Sequence, residues 1–230
     1  MAGYEQRIAA LNEKNPFLSK TEAAYTLLLE DILEGRLMGG EKVSQEELSS
    51  LFHISRTPIR EALNRLVKEG YLVKNGASGY SVYQLELADY ISLNEFRSML
   101  EDFGSRLAVK HITDREMDQL RENIRLTEEA VRQKDVKAFA QLDEAFHMIL
   151  IQSSKNPHLM DTYRHYQTRF HLFRILTVSE EILNIALKWH RKIYQSVLDG
   201  DVEAAEENTR MHRETTINSA LTVSRSRHGW

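Results

Sequence analysis

Beyond Ala88 the chain contains one proline, Pro157, and no run with the alternating or β-branched pattern of a strand. A stretch that long without breakers is expected to fold as helices packed on one another. Its punctuation divides it into six, near residues 86–110, 114–133, 135–153, 157–177, 179–198 and 201–223. Thr113 with Glu116 makes a capping box, Asn156-Pro157 marks a break, and Asp199-Gly200-Asp201 makes a tight connection. The first of these helices has an apolar stripe in Leu93, Phe96, Leu100, Phe103 and Leu107. This half therefore reads as an all-helical antiparallel bundle, ending in a flexible tail from Ser224 to Trp230.

The first third is organised differently. Ser19 with Glu22 and Ser44 with Glu47 are further capping boxes, the first opening a helix that runs to about Gly35-Arg36. Leu48 and Leu51 give the next helix an apolar edge, and His53-Ile54 make a short turn. Ser55 then caps a third helix, with Pro58 in the first turn, where its missing N–H costs little. Tyr71-Leu72-Val73 and Tyr80-Ser81-Val82-Tyr83 are β-prone and flank a turn-rich tip, Asn75 to Gly79. Three helices and a two-stranded wing make a winged helix-turn-helix, so the fold class expected is mainly α. In the third helix Arg56, Thr57, Arg60 and Asn64 share one side, while Ile59, Ala62, Leu63 and Leu66 share the other. Such a helix packs with one face and meets base edges and phosphates with the other, and arginine forks onto guanine or phosphate. The plainer reading, a solvated face, does not explain why capping, turn length and wing agree.

A net charge of −4 over 230 residues argues against a nucleic-acid partner only if the charge is spread evenly. It is not. From His53 to Tyr83 there are five basic residues (Arg56, Arg60, Arg65, Lys68, Lys74) against Glu61 and Glu69. There is no cysteine, which excludes disulfides and thiolate metal sites. No apolar signal run opens the chain, and the longest aliphatic stretch, Met148-Ile149-Leu150-Ile151, is far too short to span a bilayer. The expectation is a cytoplasmic protein without a membrane partner.

The motifs of the first third resemble a known family. Gly40-Glu41-Lys42-Val43, Glu47-Leu48, Ile54 through Leu63, Leu66, Gly70-Tyr71-Leu72 and Gly79 follow, in order and spacing, the N-terminal winged helix of GntR-family bacterial transcription regulators. The resemblance covers residues 20–83. It implies an operator of double-stranded DNA, contacted by Ser55, Arg56, Thr57, Arg60, Asn64 and, in the wing, Gly79. The chain departs from the family at Gly39, where proline is usual. It departs again at Glu46, where some members carry a DNA-contacting arginine, and Glu46 is given no DNA role.

The helical half holds a second pattern. Asp143 and His147, four residues apart, share a side with Val136, Phe139, Phe146 and Leu150, which places ionisable groups toward the core. Burying them is costly unless compensated, and a cation is the obvious compensation. His190 lies in the stripe of Leu183, Ile193, Tyr194 and Val197. It is ten residues before Gly200 and His212 is twelve after, so a hairpin brings the two to about the same depth. One Asp and three His can then converge. A lone core histidine is more often hydrogen-bonded than a ligand, and the face of His212, shared with Ala205, Asn208, Thr216 and Ser219, could line a cavity or meet solvent.

These residues, with Ser154, Asn156 and Gly200-Asp201, resemble the FCD effector domain of the FadR subfamily, and Leu93 to Ala108 with Arg97 and Glu101 resembles its first helix. The match spans most of residues 86–220. It implies that Asp143, His147, His190 and His212 hold a divalent metal ion. Nitrogen and carboxylate ligands suit Zn²⁺, with Ni²⁺ or Mn²⁺ as alternatives. Open coordination positions would take a small carboxylate metabolite. Arg97 could clamp that effector's second carboxylate or hydroxyl, or simply pair with Glu101; Arg169, His165 and His171 are further pocket residues.

The domains expected are an N-terminal extension (1–19), the winged head (20–84), the effector-binding and dimerisation domain (85–223) and the tail (224–230). The function expected is a homodimeric, metabolite-responsive regulator, a repressor released by its effector. Two rivals are a helical metalloenzyme acting on small organic acids, and a regulator whose metal only holds the bundle together. No general base or nucleophile is placed beside the quartet, which counts against the enzyme.

Overall fold

The computed structural model describes residues 3–76, 79–84 and 87–228, and the chain divides into two compact units, Met1–Leu85 and Glu86–Trp230. In the first unit α1 (Tyr4–Lys14) and α2 (Lys20–Leu33) precede a short strand, β1 (Lys42–Ser44). The helix-turn-helix, α3 (Gln45–Phe52) and α4 (Arg56–Lys68), follows, and then a hairpin of β2 (Leu72–Asn75) and β3 (Gly79–Val82). The side chain of Ser19 accepts from the Glu22 amide and that of Ser44 from the Glu47 amide. The turn between α3 and α4 closes through His53, which takes a left-handed conformation with φ of 51°. Ser55 stands at the N-cap of α4, but its hydroxyl accepts no capping hydrogen bond.

Two elements of this unit escape sequence patterning. The first is β1, which pairs antiparallel with β3 through Val43 and Tyr80, so the wing belongs to a three-stranded sheet of order β1-β3-β2. Three residues are too few to show a period. The second is α1, inside what reads as an extension. None of its residues is fully buried, and Tyr4, Ile8 and Leu11, one turn apart, are only half-buried. What anchors it is a polar contact. Asp31 of α2 is fully buried and accepts from Tyr4 Oη at 2.7 Å, Arg7 at 2.7 Å and Arg36 at 2.6 Å, while the Tyr4 ring also packs, tilted, on Phe52. The core of the unit is Leu27 and Leu28 of α2, Phe52, and Ile59, Leu63 and Leu66 of α4. Each fully buried aliphatic contributes roughly 1.5–3 kcal/mol. The wing tip at residues 77–78 lies outside the described residues.

The second unit is six helices: α5 (Leu87–His111), α6 (Asp114–Arg132), α7 (Val136–Ser153), α8 (Pro157–Thr177), α9 (Glu180–Asp199) and α10 (Val202–His228). Thr113 and Glu116 form the full reciprocal capping box, and Asn156 accepts from the His158 and Leu159 amides with Pro157 at the first helical position. Gly200, at φ of 71°, ends α9 in the left-handed region and turns the chain into α10. The last helix continues to His228, past the end expected at 223; residues 229–230 are not described.

Helix α5 packs against α7, α8 and α10. Its inward face is polar as well as apolar: Leu100 is buried, with Leu93 and Phe96 packed against the same cluster. Asn94, Arg97, Glu101 and Ser105 are all buried, whereas Phe103 of the expected stripe is 45% exposed. At Gly104 a Cβ would come within 2.6 Å of Ile151 Cδ1, so glycine is what lets α5 approach α7 this closely. Around this polar seam lie two apolar clusters, one centred on Phe146, Leu150 and Ile193, the other on Ile151, Tyr163 and Phe170.

Candidate metal centre and DNA-reading surface

The polar seam ends in a cluster of ionisable side chains, all of them buried. Asp143 and His147 come from α7, His190 from α9 and His212 from α10, and one ligand atom from each lies within 4.8 Å of every other. Asp143 Oδ1 is 3.2 Å from His190 Nε2, 3.8 Å from His147 Nε2 and 3.9 Å from His212 Nε2. The Nε2 atoms of His147 and His212 are 3.2 Å apart. Ligands on bonds of about 2.0–2.1 Å at tetrahedral angles are about 3.3 Å apart; the two 3.2 Å spacings match that, and the 3.8 and 3.9 Å spacings are about half an ångström longer.

The hydrogen bonding agrees with that. Both nitrogens of His190 and the Nδ1 atoms of His147 and His212 are buried with no hydrogen-bond partner among the described residues. Buried imidazole nitrogens are rarely left so. The Nε2 atoms of His147 and His212 both accept from Nη2 of Arg213, the latter at 2.6 Å, which fixes their lone pairs on one shared point. Lone pairs that converge on a guanidinium suit a metal ion equally. The donor set therefore fits a divalent ion.

Electrostatics keep those donors available. Burial first, and then the Arg213 cation, hold His147 and His212 well below the usual imidazole range, so both stay neutral. Burial pushes Asp143 upward, but Arg174, His190 and His147 outweigh it and hold the carboxyl well below its usual range. Glu101 behaves alike: burial raises it, and Arg213, Arg97 and Arg174 together lower it. Burial and the neighbouring Arg97 bring Arg213 down to about 10. Glu101 is the hub of the second ring. It accepts from Arg97 Nε at 2.7 Å and from Tyr163 Oη at 2.8 Å, lies 2.9 Å from Arg213 Nε, and its Oε2 is 3.5 Å from His147 Nδ1. A carboxylate behind a ligating imidazole orients the ring and makes it a stronger donor.

Beside the cluster is a cavity of about 40 Å³, lined among others by Asn94, Arg97, Asp143, Arg174, His212 and Arg213. Arg97 pairs with Glu101, and it also lines this cavity. Sequence reasoning placed Arg169 and His165 with it as pocket residues, and the structure places them elsewhere. Both are exposed on α8, packed around the ring of Tyr166, because the helical period that turns Tyr163, Phe170 and Arg174 inward turns them out. His171 pairs with Glu144 at 2.6 Å instead. Arg174 and Arg213 went unread. Arg174 sits at the i+4 position after Phe170 in the stripe of Leu159 and Tyr163, a charge on an apolar face that marks it as a pocket residue.

In the first unit Ser55, Arg56, Thr57, Arg60 and Asn64 are all exposed along α4, opposite Ile59, Ala62, Leu63 and Leu66. Two of them have partners. Arg56 is paired with Glu46 at the start of α3, and Asn64 Oδ1 accepts from Tyr80 Oη at 3.1 Å, which ties it to the wing. Arg65, on the far side, stacks on Tyr25 at 3.6 Å and pairs with Glu22 and Glu69. Gly79 opens β3, where a Cβ would fall 2.8 Å from the Asn75 carbonyl oxygen. Glycine is needed there for the hairpin itself.

Comparison with known proteins gives the same division. Residues 20–82 match the family described as bacterial regulatory proteins, gntR family, and residues 92–215, over half the chain, match the FCD domain. The chain belongs to the GntR family. It has the head and FCD domain of FadR-like members, and is a DNA-binding, metabolite-responsive transcription regulator rather than an enzyme. The HTH-type transcriptional regulator YdhC of Bacillus subtilis is 28% identical over 190 residues, 82% of this chain and 85% of that one. The Nta operon transcriptional regulator of Aminobacter aminovorans is 36% identical over 135 residues, 59% of this chain and 64% of its own length. The HTH-type transcriptional repressor RspR of Escherichia coli is 24% identical over 217 residues, 94% and 95% of the two chains. The solved structure of E. coli McbR/YncC superposes with a TM-score of 0.72 at 20% identity, covering 90% of this chain and 99% of that one, which supports the fold. Among the described residues no helix of the regulator is long and apolar enough to cross a membrane.

Proposed function

We propose that the regulator is a cytoplasmic homodimeric repressor whose helical domain binds one divalent metal ion, zinc first among Zn²⁺, Ni²⁺ and Mn²⁺. A small carboxylate metabolite binding next to that ion releases the operator. The observation that carries this reading is the convergence of Asp143 Oδ1 and three imidazole Nε2 atoms beside a cavity lined by Arg97 and Arg174. Asp143, His147, His190 and His212 would hold the ion, and the ion would present a positive charge to an acid in the cavity. Arg97, held by Glu101, orients a carboxylate through its remaining donors. On the DNA side, Arg56, Thr57 and Arg60 read the operator from α4, with Ser55, Asn64 and Gly79 setting the position of helix and wing.

The repressor sign is supported by RspR, which is named a transcriptional repressor and is similar over nearly the whole chain. Pairing of two copies is supported by an apolar face on α5, where Met99, Phe103 and Ile91 are exposed beside Ile217 of α10. The test uses operator DNA selected from a random library and zinc-loaded protein, followed by fluorescence anisotropy. Titration with small organic acids should release the DNA. If acids bind to none of the metal-loaded protein, the metal is structural and the sensor reading fails.

A further inference from the structure

We infer that Glu46 is a specificity-determining residue: its carboxylate holds Arg56 in a direction that reads a base edge and keeps that arginine from serving as a phosphate contact. The inference rests on the reading of Arg56 as an operator contact and adds a positioning residue, on α3, to it. Glu46 pairs with Arg56 across the helix-turn-helix, and its neighbour Gln45 donates from Nε2 to the Arg56 carbonyl at 2.9 Å. Two consecutive side chains in the first turn of α3 therefore grip the first residue of α4, one at its backbone and one at its guanidinium.

The plain reading of the pair is an exposed surface contact that contributes little to stability. Its position argues for more. A cation in the first turn of a helix faces the positive end of the helix dipole, and for Arg56 the Glu46 carboxylate offsets that. Arg60, one turn further on the same side, is exposed and makes no ion pair among the described residues. The two arginines of one reading face thus differ: one has a set direction, the other can turn. A guanidinium that can turn settles on phosphates, which carry no sequence information. A guanidinium bonded through Nη2 to a carboxylate differs in two ways. Its torsions are already restricted, so less entropy is lost when it meets a base. The carboxylate beside it is also repelled by phosphates, and the pair offers the DNA backbone no net charge. The remaining N–H groups can still fork onto O6 and N7 of guanine. Glu46 acts through Arg56, and the base pair it favours is the G·C that Arg56 reads.

The test is fluorescence anisotropy with the full-length protein at constant ionic strength. The duplexes are an operator selected from a random library, each of its single-base-pair variants, and a scrambled sequence. Arg56→Ala identifies the base pair that Arg56 reads, as the position where discrimination collapses. The wild type should favour G·C there by about tenfold or more. Glu46→Gln, with folding checked by its thermal melt, should cut that preference by about fivefold or more, at that position and not elsewhere. It should also bind the scrambled duplex about tenfold more tightly, a larger gain than on the operator. Glu46→Asp, which keeps the charge, should retain part of the preference. A Glu46→Gln protein with its preference intact overturns the inference and leaves Arg56 standing as a base contact. Equal tightening on every duplex makes Glu46 a bulk charge only and overturns it too. If Arg56→Ala changes discrimination at no position, Arg56 reads no base, and the inference falls with that reading.

Discussion

The two units of this regulator use charge in opposite ways. In the DNA-reading head the charged residues of α4 stand in solvent over an apolar floor, with Arg56 and Glu46 exposed even where they pair. In the helical unit the charged residues are the floor: Arg97, Glu101, Asp143, Arg174 and Arg213 are each at most 5% exposed. Exposed charges cost little to place and contribute little to stability. Buried ones are tolerable only as a compensated set, so removing one member exposes the cost of the others. A surface therefore can be read residue by residue, whereas the buried cluster acts as a unit.

The largest effect that would break this contrast is on stability. Glu101→Ala removes the buried carboxylate that Arg97, Arg174 and Arg213 share, and should lower unfolding free energy by about 3–5 kcal/mol in urea titration. A loss below about 1 kcal/mol would mean that the cluster is not coupled. Next is the head. Arg56→Ala combined with Arg60→Ala should weaken operator binding by about a hundredfold, about 2.7 kcal/mol, while the thermal melt stays put. Unchanged affinity would remove α4 as the reading helix.

The third test uses pH on protein stripped of metal by a chelator. His147 and His212 have lowered values in the folded state, so as pH falls the unfolded chain takes up protons first. Stability present above about pH 6.5 should be lost progressively below it, by about 1.4 kcal/mol per pH unit for each histidine. A flat profile from pH 7 to 5 would contradict their buried neutral state. Then comes Arg213, whose guanidinium holds the lone pairs of His147 and His212. Relieved of it, Arg213→Met should bind zinc about tenfold more tightly in competition with a chromophoric chelator, since hydrogen bonds to charged groups are worth about 1.5–3 kcal/mol. Smallest is Glu46→Gln, which frees an exposed arginine. Stability should change by less than about 1 kcal/mol, with operator affinity rising a few-fold. A large loss of stability there would mean that the head, too, depends on its charges.

The contrast also explains what could be read from the sequence. The helix-turn-helix, the wing and the six-helix bundle were legible because caps, prolines and apolar periods mark them locally. The four quartet residues were legible because Asp143, His147 and His190 lie on apolar stripes, a glycine turn sets His212 at the depth of His190, and the resemblance to the FCD domain joins the four. Strand β1 was too short for a period, and α1 is short, with its Tyr4 and Arg7 tied to Asp31 far along the chain. On α5 the period showed Leu93, Phe96 and Leu100, which do pack inward, but not that Asn94, Arg97 and Glu101 beside them are buried as well. Arg174 and Arg213 were missed for the same reason. Periodicity weighs apolar residues, and a buried arginine counts against the face it occupies. Arg169 and His165 were placed by residue type alone, and the turn of α8 carries them to the surface.

The central claim is that the buried cluster is a metal site separate from the reading head. Zinc retained per chain after gel filtration, measured by inductively coupled plasma mass spectrometry, tests it most directly. The wild type and the Arg56→Ala, Arg60→Ala variant should each keep one zinc per chain, and folded His147→Ala should keep almost none. A wild type that retains no metal, or His147→Ala that retains as much as the wild type, would contradict it.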